Sequence, residues 1–339
     1  MHYIGSIVSC NCLEVLTMSL GNNIRNRRIA LHLSQQDLAD ALGYKTRSSI
    51  AKLEKDNTSI SAEKLKSLAN TLNTTVEFLV NGAAPDESGH GTVISDSSLN
   101  NLPTLQKDKR KCVAIILAGG KNRVNQYSIP FQFVSVKDKP VILYTMEAFQ
   151  RHPLVDEIHV VCLEGWEDFL PAYAEKYGIT KLREIIPAGE SGTKSVRNAV
   201  EWLSPRLSVF DILLFQEATR PFVDPETISN AIHCCKRYGT AITFERMDRM
   251  TPFLEGEHGE GLTHLPASRL INVQSPELYT AGILRQAFLE AAAANHPMDE
   301  TICSVFLHHL GKELKFCEGN HNNLRIVYEA DLKLMEALV

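Results

Sequence analysis

Apolar residues in this 339-residue chain follow two different rhythms. From Leu20 to about Val80 they recur every three or four positions, the spacing that places them on one face of a helix. Ile24, Ile29 and Leu31 make a first stripe. Ser34 is placed to cap a second helix that buries Leu38, Ala39 and Leu42 and ends at Gly43. A third helix is predicted from about Thr46 to Lys55, burying Ile50 and Leu53. A fourth follows Ser61 with Leu65, Leu68 and Leu72 inside, and Val76, Phe78 and Leu79 close the bundle. Helix, glycine-containing turn and helix is the helix-turn-helix pattern.

Beyond Cys112, apolar runs alternate with helical stripes. Val113–Leu117 reads as a strand, Val141–Gln150 as a helix, Glu157–Cys162 as a strand and Trp166–Tyr177 as a helix. Helices over Ser195–Leu203 and Pro225–Tyr238 flank a strand at Asp211–Phe215. Short strands near Ala241–Phe244 and Leu314–Cys317 precede a closing helix at Glu329–Leu338. Strands separated by helices assemble into a mostly parallel sheet. The expectation is a multidomain chain: a small all-α helix-turn-helix domain over 20–82 and an α/β, Rossmann-like domain over 112–339. Residues 83–111, which include His90, carry Gly, Ser, Asn, Pro and charge and read as a flexible linker. Residues 1–19 read as a tail, and Met18 offers a second start.

The richest stretch runs from Val113 into Gly119-Gly120-Lys121-Asn122-Arg123. A buried parallel strand entering a Gly-rich turn with basic side chains offers amides and positive charge to a phosphate. The glycine spacing is neither a dinucleotide fingerprint nor a Walker A loop, and alone it also fits a purely structural turn. Gly189–Ser195 and Glu217–Arg220 are predicted at the same carboxyl edge of the sheet, where α/β folds bind ligands.

Composition narrows the options. With 35 Lys+Arg against 40 Asp+Glu, the net charge is −5, so any DNA contact must come from a local patch. Arg25, Arg27 and Arg28 form such a basic cluster. The eight cysteines, including Cys10/Cys12 and Cys234/Cys235, show no zinc spacing and read as reduced thiols. No apolar run reaches the roughly 18 residues of a membrane helix, and the first residues lack a basic n-region. The expectation is a cytoplasmic protein with no membrane partner. His258 and His264 near Glu255, Glu257 and Glu260 are a loose set of possible ligands that reads better as a solvated arm loop, Asp299-Glu300 reads as a helix opening, and His308-His309 as helix-surface or packing residues.

Ser34-Gln35, Leu38-Ala39, Gly43, Ile50 and Glu54 resemble the Cro/phage-repressor family. That resemblance implies that Lys45, Thr46, Arg47, Ser48, Ser49 and Lys52 meet the DNA major groove and that Gln35 touches a phosphate, in a dimer on a two-fold site. The same segment read without it is a protein-interaction module. Leu117-Ala118-Gly119-Gly120, Ile129 to Phe133, Gly189 with Ser195-Val196-Arg197-Asn198, Gln216 to Phe222, Gln274-Ser275-Pro276 and Asn323-Leu324-Arg325 resemble the methylerythritol- and ribitol-phosphate cytidylyltransferases. The fold this implies is a nucleotide-diphospho-sugar transferase, dimeric through an arm at about Met247 to Val273. It implies CTP with Mg²⁺ and a polyol phosphate as substrates. Ala118, Gly119, Gly120, Lys121, Gly189, Glu190 and Ser195 would surround the nucleotide. Arg123 would face the triphosphate, Glu217 the ribose and the metal, and Arg220 the second substrate's phosphate. Arg325 would bridge the reacting phosphates.

The departures are specific. Phe131 stands where the family has a lysine, Gly192 where an arginine often occurs, and Asn122 lies in a loop one residue short. Glu217 replaces Asp and Arg325 replaces Lys. Two readings follow: a DNA-binding protein that transfers CMP to a sugar-alcohol phosphate, and a transcriptional regulator that binds a cytidine nucleotide or CDP-alcohol without turnover. A pair of interaction scaffolds is the third.

Overall fold

The computed structural model describes residues 19–31, 33–55, 60–72, 74, 76–81, 91–94, 110–122, 129–255 and 261–339. The chain divides into two compact units, Met1–Asp86 and Glu87–Val339.

Among its described residues the first unit holds five helices: α1 (Leu20–Ala30), α2 (Gln35–Ala41), α3 (Ser48–Leu53), α4 (Ala62–Thr71) and α5 (Val76–Asn81). Ser19, Ser34 and Ser61 each cap a helix by accepting a backbone N–H three residues on, and at Ser34 the Asp37 side chain completes a capping box. Ile24, Leu38, Ile50, Leu72 and Leu79 are fully buried. Ile29 is not part of that core and is half exposed, because it lies five positions after Ile24 and so off the inward face. Position 28 lies on that face, and it is an arginine. Arg28 is buried and bonds both oxygens of buried Glu54, with Nη2 at 3.1 Å and Nε closer, while Nη1 donates to Leu33 O at 2.6 Å. Arg27 Nε donates to Leu72 O at 3.0 Å, closing the end of α4. Two of the three arginines read as a DNA-attracting cluster are thus internal struts.

The second unit is a three-layer α/β domain. In chain order it contains β1 (Gly91–Ile94), β2 (Cys112–Ala118), the hairpin β3 (Ser135–Val136) and β4 (Lys139–Pro140), α6 (Val141–Arg151), β5 (Glu157–Cys162), α7 (Phe169–Lys176) and β6 (Leu182–Pro187). Then come α8 (Gly192–Leu203), β7 (Ile212–Glu217), α9 (Pro225–Tyr238), β8 (Thr240–Arg246), and the hairpin β9 (Phe253–Glu255) and β10 (Leu262–His264). The chain ends through β11 (Ile271–Thr280), α10 (Ala281–Ala293), α11 (Cys303–His309), β12 (Leu314–Glu318) and α12 (Glu329–Leu338). The main sheet has the order β1-β12-β8-β11-β7-β2-β5-β6, parallel throughout except β11, which is antiparallel to β7 and β8. Along β2, Cys112, Ala114, Ile116 and Ala118 face a layer of α6, α7 and α9, while Val113 and Ile115 face α8, α10 and α11. Coverage on both faces explains the unbroken apolar run.

The structure corrects several expectations. Gly91–Ile94 lies inside the stretch read as linker, yet it pairs in parallel with β12 as an edge strand. Residues 271–273, read as arm, pair with β8. The helix expected to open at Asp299-Glu300 begins at Cys303.

Breaking the buried Arg28–Glu54 pair leaves an uncompensated charge. Arg28→Ala is expected to lower the stability of the helical unit by about 3 kcal/mol, read as faster amide hydrogen exchange over α1–α5; unchanged protection there would contradict the assignment.

Candidate functional site

Two turns meet at the carboxyl edge of the sheet. After β2 the chain passes through Gly119 and Gly120, and buried Gln132 ties this turn down by donating Nε2 to Ala118 O at 2.9 Å and Gly120 O at 2.8 Å. After β6, Gly189 donates its N–H to Ser195 Oγ at 3.0 Å. The turns touch so closely that only glycine fits. A Cβ at Gly119 would lie 2.6 Å from Ala188 Cβ, and one at Gly189 would lie 2.6 Å from the Lys194 carbonyl carbon. The Ser195 hydroxyl, buried and accepting at its oxygen, keeps its proton to donate. Gly120, Lys121 and Glu190 are exposed. Glu190 pairs with Lys194 at 2.8 Å, and that hydrogen bond and charge hold its carboxyl below the usual range.

Beside these turns stands a charge cluster. Glu217 ends β7 directly opposite Leu117 of β2, and its N–H donates to Ser275 Oγ at 3.0 Å. Its carboxylate joins two guanidiniums, Arg220 Nε at 2.5 Å and Arg325 Nη2 at 2.9 Å. Arg220 is buried and fixed by donating Nη1 to Asn323 O at 2.8 Å, whereas the Arg325 side chain is 48 % exposed. Asn323 is itself wholly buried and donates Nδ2 to Ser275 O at 2.6 Å. The family-inferred residues Glu217, Arg220 and Arg325 therefore converge. Arg123 lies outside the described residues.

Three of the departures acquire physical reasons. Phe131 is buried with Val136, Val141, Ile326 and Met335, so it props the segment that carries Arg325. At Gly192 a Cβ would lie 1.9 Å from Thr301 O, so the position has no room for an arginine. Replacing Asp by Glu lets Glu217 span both arginines at once.

Sequence reasoning assigned no role to Gln132, Asn323 or Glu277. The first two lay within the quoted motifs; Glu277 carried no signal beyond its place after Pro276. Glu277 is wholly buried behind the cluster and accepts from Tyr279 Oη at 2.8 Å, Ser304 Oγ at 2.5 Å and Ser304 N at 3.3 Å. Burial raises its carboxyl from 4.5 to about 7 despite those donors, with the Glu217 charge adding to the rise.

In the first unit, Lys45, Thr46 and Arg47 before α3 and Ser48 and Lys52 within it are exposed, and Ser49 is partly so. Thr46 Oγ1 and Ser48 Oγ lie 2.6 Å apart. Gln35 Nε2 donates to Glu54 Oε2 at 2.8 Å, so the buried pair sets its direction. In the arm, His264 packs edge-on against Phe253 and Glu255 is exposed, while His258, Glu257 and Glu260 lie outside the described residues.

Residues 112–339 match the family model of 2-C-methyl-D-erythritol 4-phosphate cytidylyltransferase, and residues 24–79 match that of the helix-turn-helix. A ribitol-5-phosphate cytidylyltransferase of Lacticaseibacillus paracasei is 35% identical over 225 residues, 66% of this chain and 96% of that protein. A 2-C-methyl-D-erythritol 4-phosphate cytidylyltransferase of Clostridium botulinum is 29% identical over the same shares. The crystal structure of 4-diphosphocytidyl-2C-methyl-D-erythritol synthase from Anaerococcus prevotii superposes with a TM-score of 0.58 at 18% identity, covering 68% of this chain and 96% of that one, which shows the fold.

Glu277 gives a pH signature. Its folded-state value lies above its unfolded one, so its favourable contribution is full below about pH 4.5 and is lost as pH rises to about 7. The loss is on the order of 3 kcal/mol. Glu277→Gln should flatten the fall in urea midpoint between pH 5 and 8; an identical slope in both proteins would refute it.

Proposed function

The chain belongs, over residues 112–339, to the 2-C-methyl-D-erythritol 4-phosphate cytidylyltransferase family, and we propose that it transfers CMP from CTP to a sugar-alcohol phosphate. The observation that carries this is the Glu217 carboxylate held between Arg220 and Arg325 beside the two glycine turns. A phosphate oxygen of the polyol attacks the α-phosphorus of CTP, the bond to the β-phosphate oxygen breaks, and pyrophosphate leaves. The chemistry needs positioning and positive charge more than covalent help. The turns at Gly119 and Gly189 seat the nucleotide, with the Ser195 hydroxyl as a donor, Lys121 and Glu190 at the rim, and Arg123 toward the triphosphate. Arg220, fixed in place, receives the polyol phosphate. Arg325 leaves Glu217 to meet the reacting phosphates. Glu217 is then free to hold Mg²⁺ through a carboxylate oxygen with phosphates supplying the rest, a donor set that suits that ion. Bound there, Mg²⁺ supplies neutralising charge. Ribitol 5-phosphate is the favoured polyol, from the more similar of the two relatives named; methylerythritol 4-phosphate is the second candidate.

One observation favours a second reading. Phe131 puts no amine on the leaving phosphates and is locked into the core, and on this reading the domain serves as a cytidine-nucleotide or CDP-alcohol sensor without turnover. The helix-turn-helix match and the exposed face of α3 support DNA binding through Lys45, Thr46, Arg47, Ser48, Ser49 and Lys52, in a cytoplasmic homodimer acting in transcription. Reduced thiols at Cys112, Cys162, Cys234, Cys235, Cys303 and Cys317 suit that compartment.

Pyrophosphate release from CTP, Mg²⁺ and ribitol 5-phosphate is expected for the wild type, with Arg220→Ala slower by roughly 10²–10³-fold. Calorimetric CTP binding with no pyrophosphate would select the sensor; neither binding nor release would defeat both readings. For the first unit, Arg47→Ala/Lys52→Ala should weaken duplex DNA binding and reduce its salt slope by roughly 2. Equal slopes in the two proteins would exclude α3 as the contact surface.

A further inference from the structure

Behind the Gly189–Ser195 turn lies a cluster that the transfer reaction does not use. His296 lies early in the loop between α10 and α11, Glu300 follows four residues later in the same loop, and His309 is the last residue of α11. His309 Nδ1 is 3.1 Å and His296 Nε2 is 3.6 Å from the same Glu300 oxygen, Oε1, and the ligand atoms of all three lie within 4.8 Å of one another. The Glu300 side chain is 93 % buried, being 7 % exposed, and its second oxygen, Oε2, is buried without a hydrogen-bond partner. A carboxylate so placed needs a cation, and among the described residues the basic groups at ion-pair distance are two imidazoles, no Lys or Arg.

We propose that His296, Glu300 and His309 form a binding site for a divalent transition-metal ion of the zinc class. Two imidazoles and one carboxylate are a zinc donor set. Tetrahedral bonds of about 2.0–2.2 Å place neighbouring donors about 3.4 Å apart, which the two distances to Oε1 bracket. His309 is half exposed and opens a route from solvent, where water completes the fourth position. Met298 N–H donates to His296 Nδ1 at 3.2 Å; coordination at Nε2 puts the ring proton on Nδ1, so metal binding gives up that one hydrogen bond.

The site ties down the loop that backs the glycine turn. Ser191 Oγ donates to Met298 O at 2.7 Å, Thr193 N–H donates to Glu300 O at 3.0 Å, and Thr301 O fills the place of a side chain at Gly192. An ion at the cluster therefore stabilises the folded state by binding it in preference to the unfolded chain.

The test is Zn²⁺ titration of the full chain by calorimetry, with Zn²⁺-dependent melting as a second readout. The wild type is expected to bind and to melt at a higher temperature with Zn²⁺ than with Mg²⁺, which prefers oxygen ligands. His309→Ala should weaken Zn²⁺ binding at least ~10-fold, whereas His308→Ala, one residue away on the same helix, should leave it intact. Circular dichroism of the metal-free proteins checks that both fold. No Zn²⁺ binding by the wild type, equal binding by His309→Ala, or equal losses in the two variants would each overturn the proposal. Pyrophosphate release does not enter any of these readouts, so the site stands or falls apart from the transferase reading.

Discussion

The carboxylate of Glu217, shared between two guanidiniums, is the constraint around which the sheet edge is organised. Its two partners are unequal. Arg220 is buried and anchored by the Asn323 carbonyl, so it is a fixed charge whose position the core determines. Arg325 meets the same carboxylate from the solvent side with nearly half its side chain exposed. Exposed ion pairs contribute about 0–1 kcal/mol, so little free energy holds Arg325 on Glu217. The arrangement thus sets one anchored guanidinium beside one that is weakly held at the surface.

The supports of this cluster come from segments far apart in the chain. Ser275 on β11 accepts the Glu217 amide, Asn323 links Arg220 to the Ser275 carbonyl, and Phe131 packs beneath Ile326, next to Arg325. Phe131, where the resembling family carries a lysine, therefore serves here as a hydrophobic anchor for the segment that bears Arg325.

Much of this architecture is legible in the sequence, for identifiable reasons. β2 is covered on both faces, so it must be apolar throughout and announces itself. The capped helices of the first unit carry their serines at the right places. β11 escapes because Gln274, Ser275 and Glu277 are buried polar groups with internal partners, which breaks the alternation expected of a strand. In α10 the buried stripe of Leu284, Ala287, Phe288 and Ala291 is blurred by exposed Leu289 and by alanines on the other faces. Arg28 misleads for a similar reason: a buried ion pair looks like surface charge until Glu54 is found beside it. Convergence of Glu217 and Arg325 across more than a hundred residues followed from the family resemblance, since no local spacing encodes it.

The central claim is that this edge grips phosphates through a fixed and a mobile guanidinium. Phosphorus NMR of CTP with Mg²⁺ titrated by the protein tests it most directly. The account predicts that the phosphorus resonances shift or broaden on binding, and that Arg325→Ala removes much of that change. Binding that perturbs only the cytosine and ribose protons, with the phosphates unaffected, would contradict it.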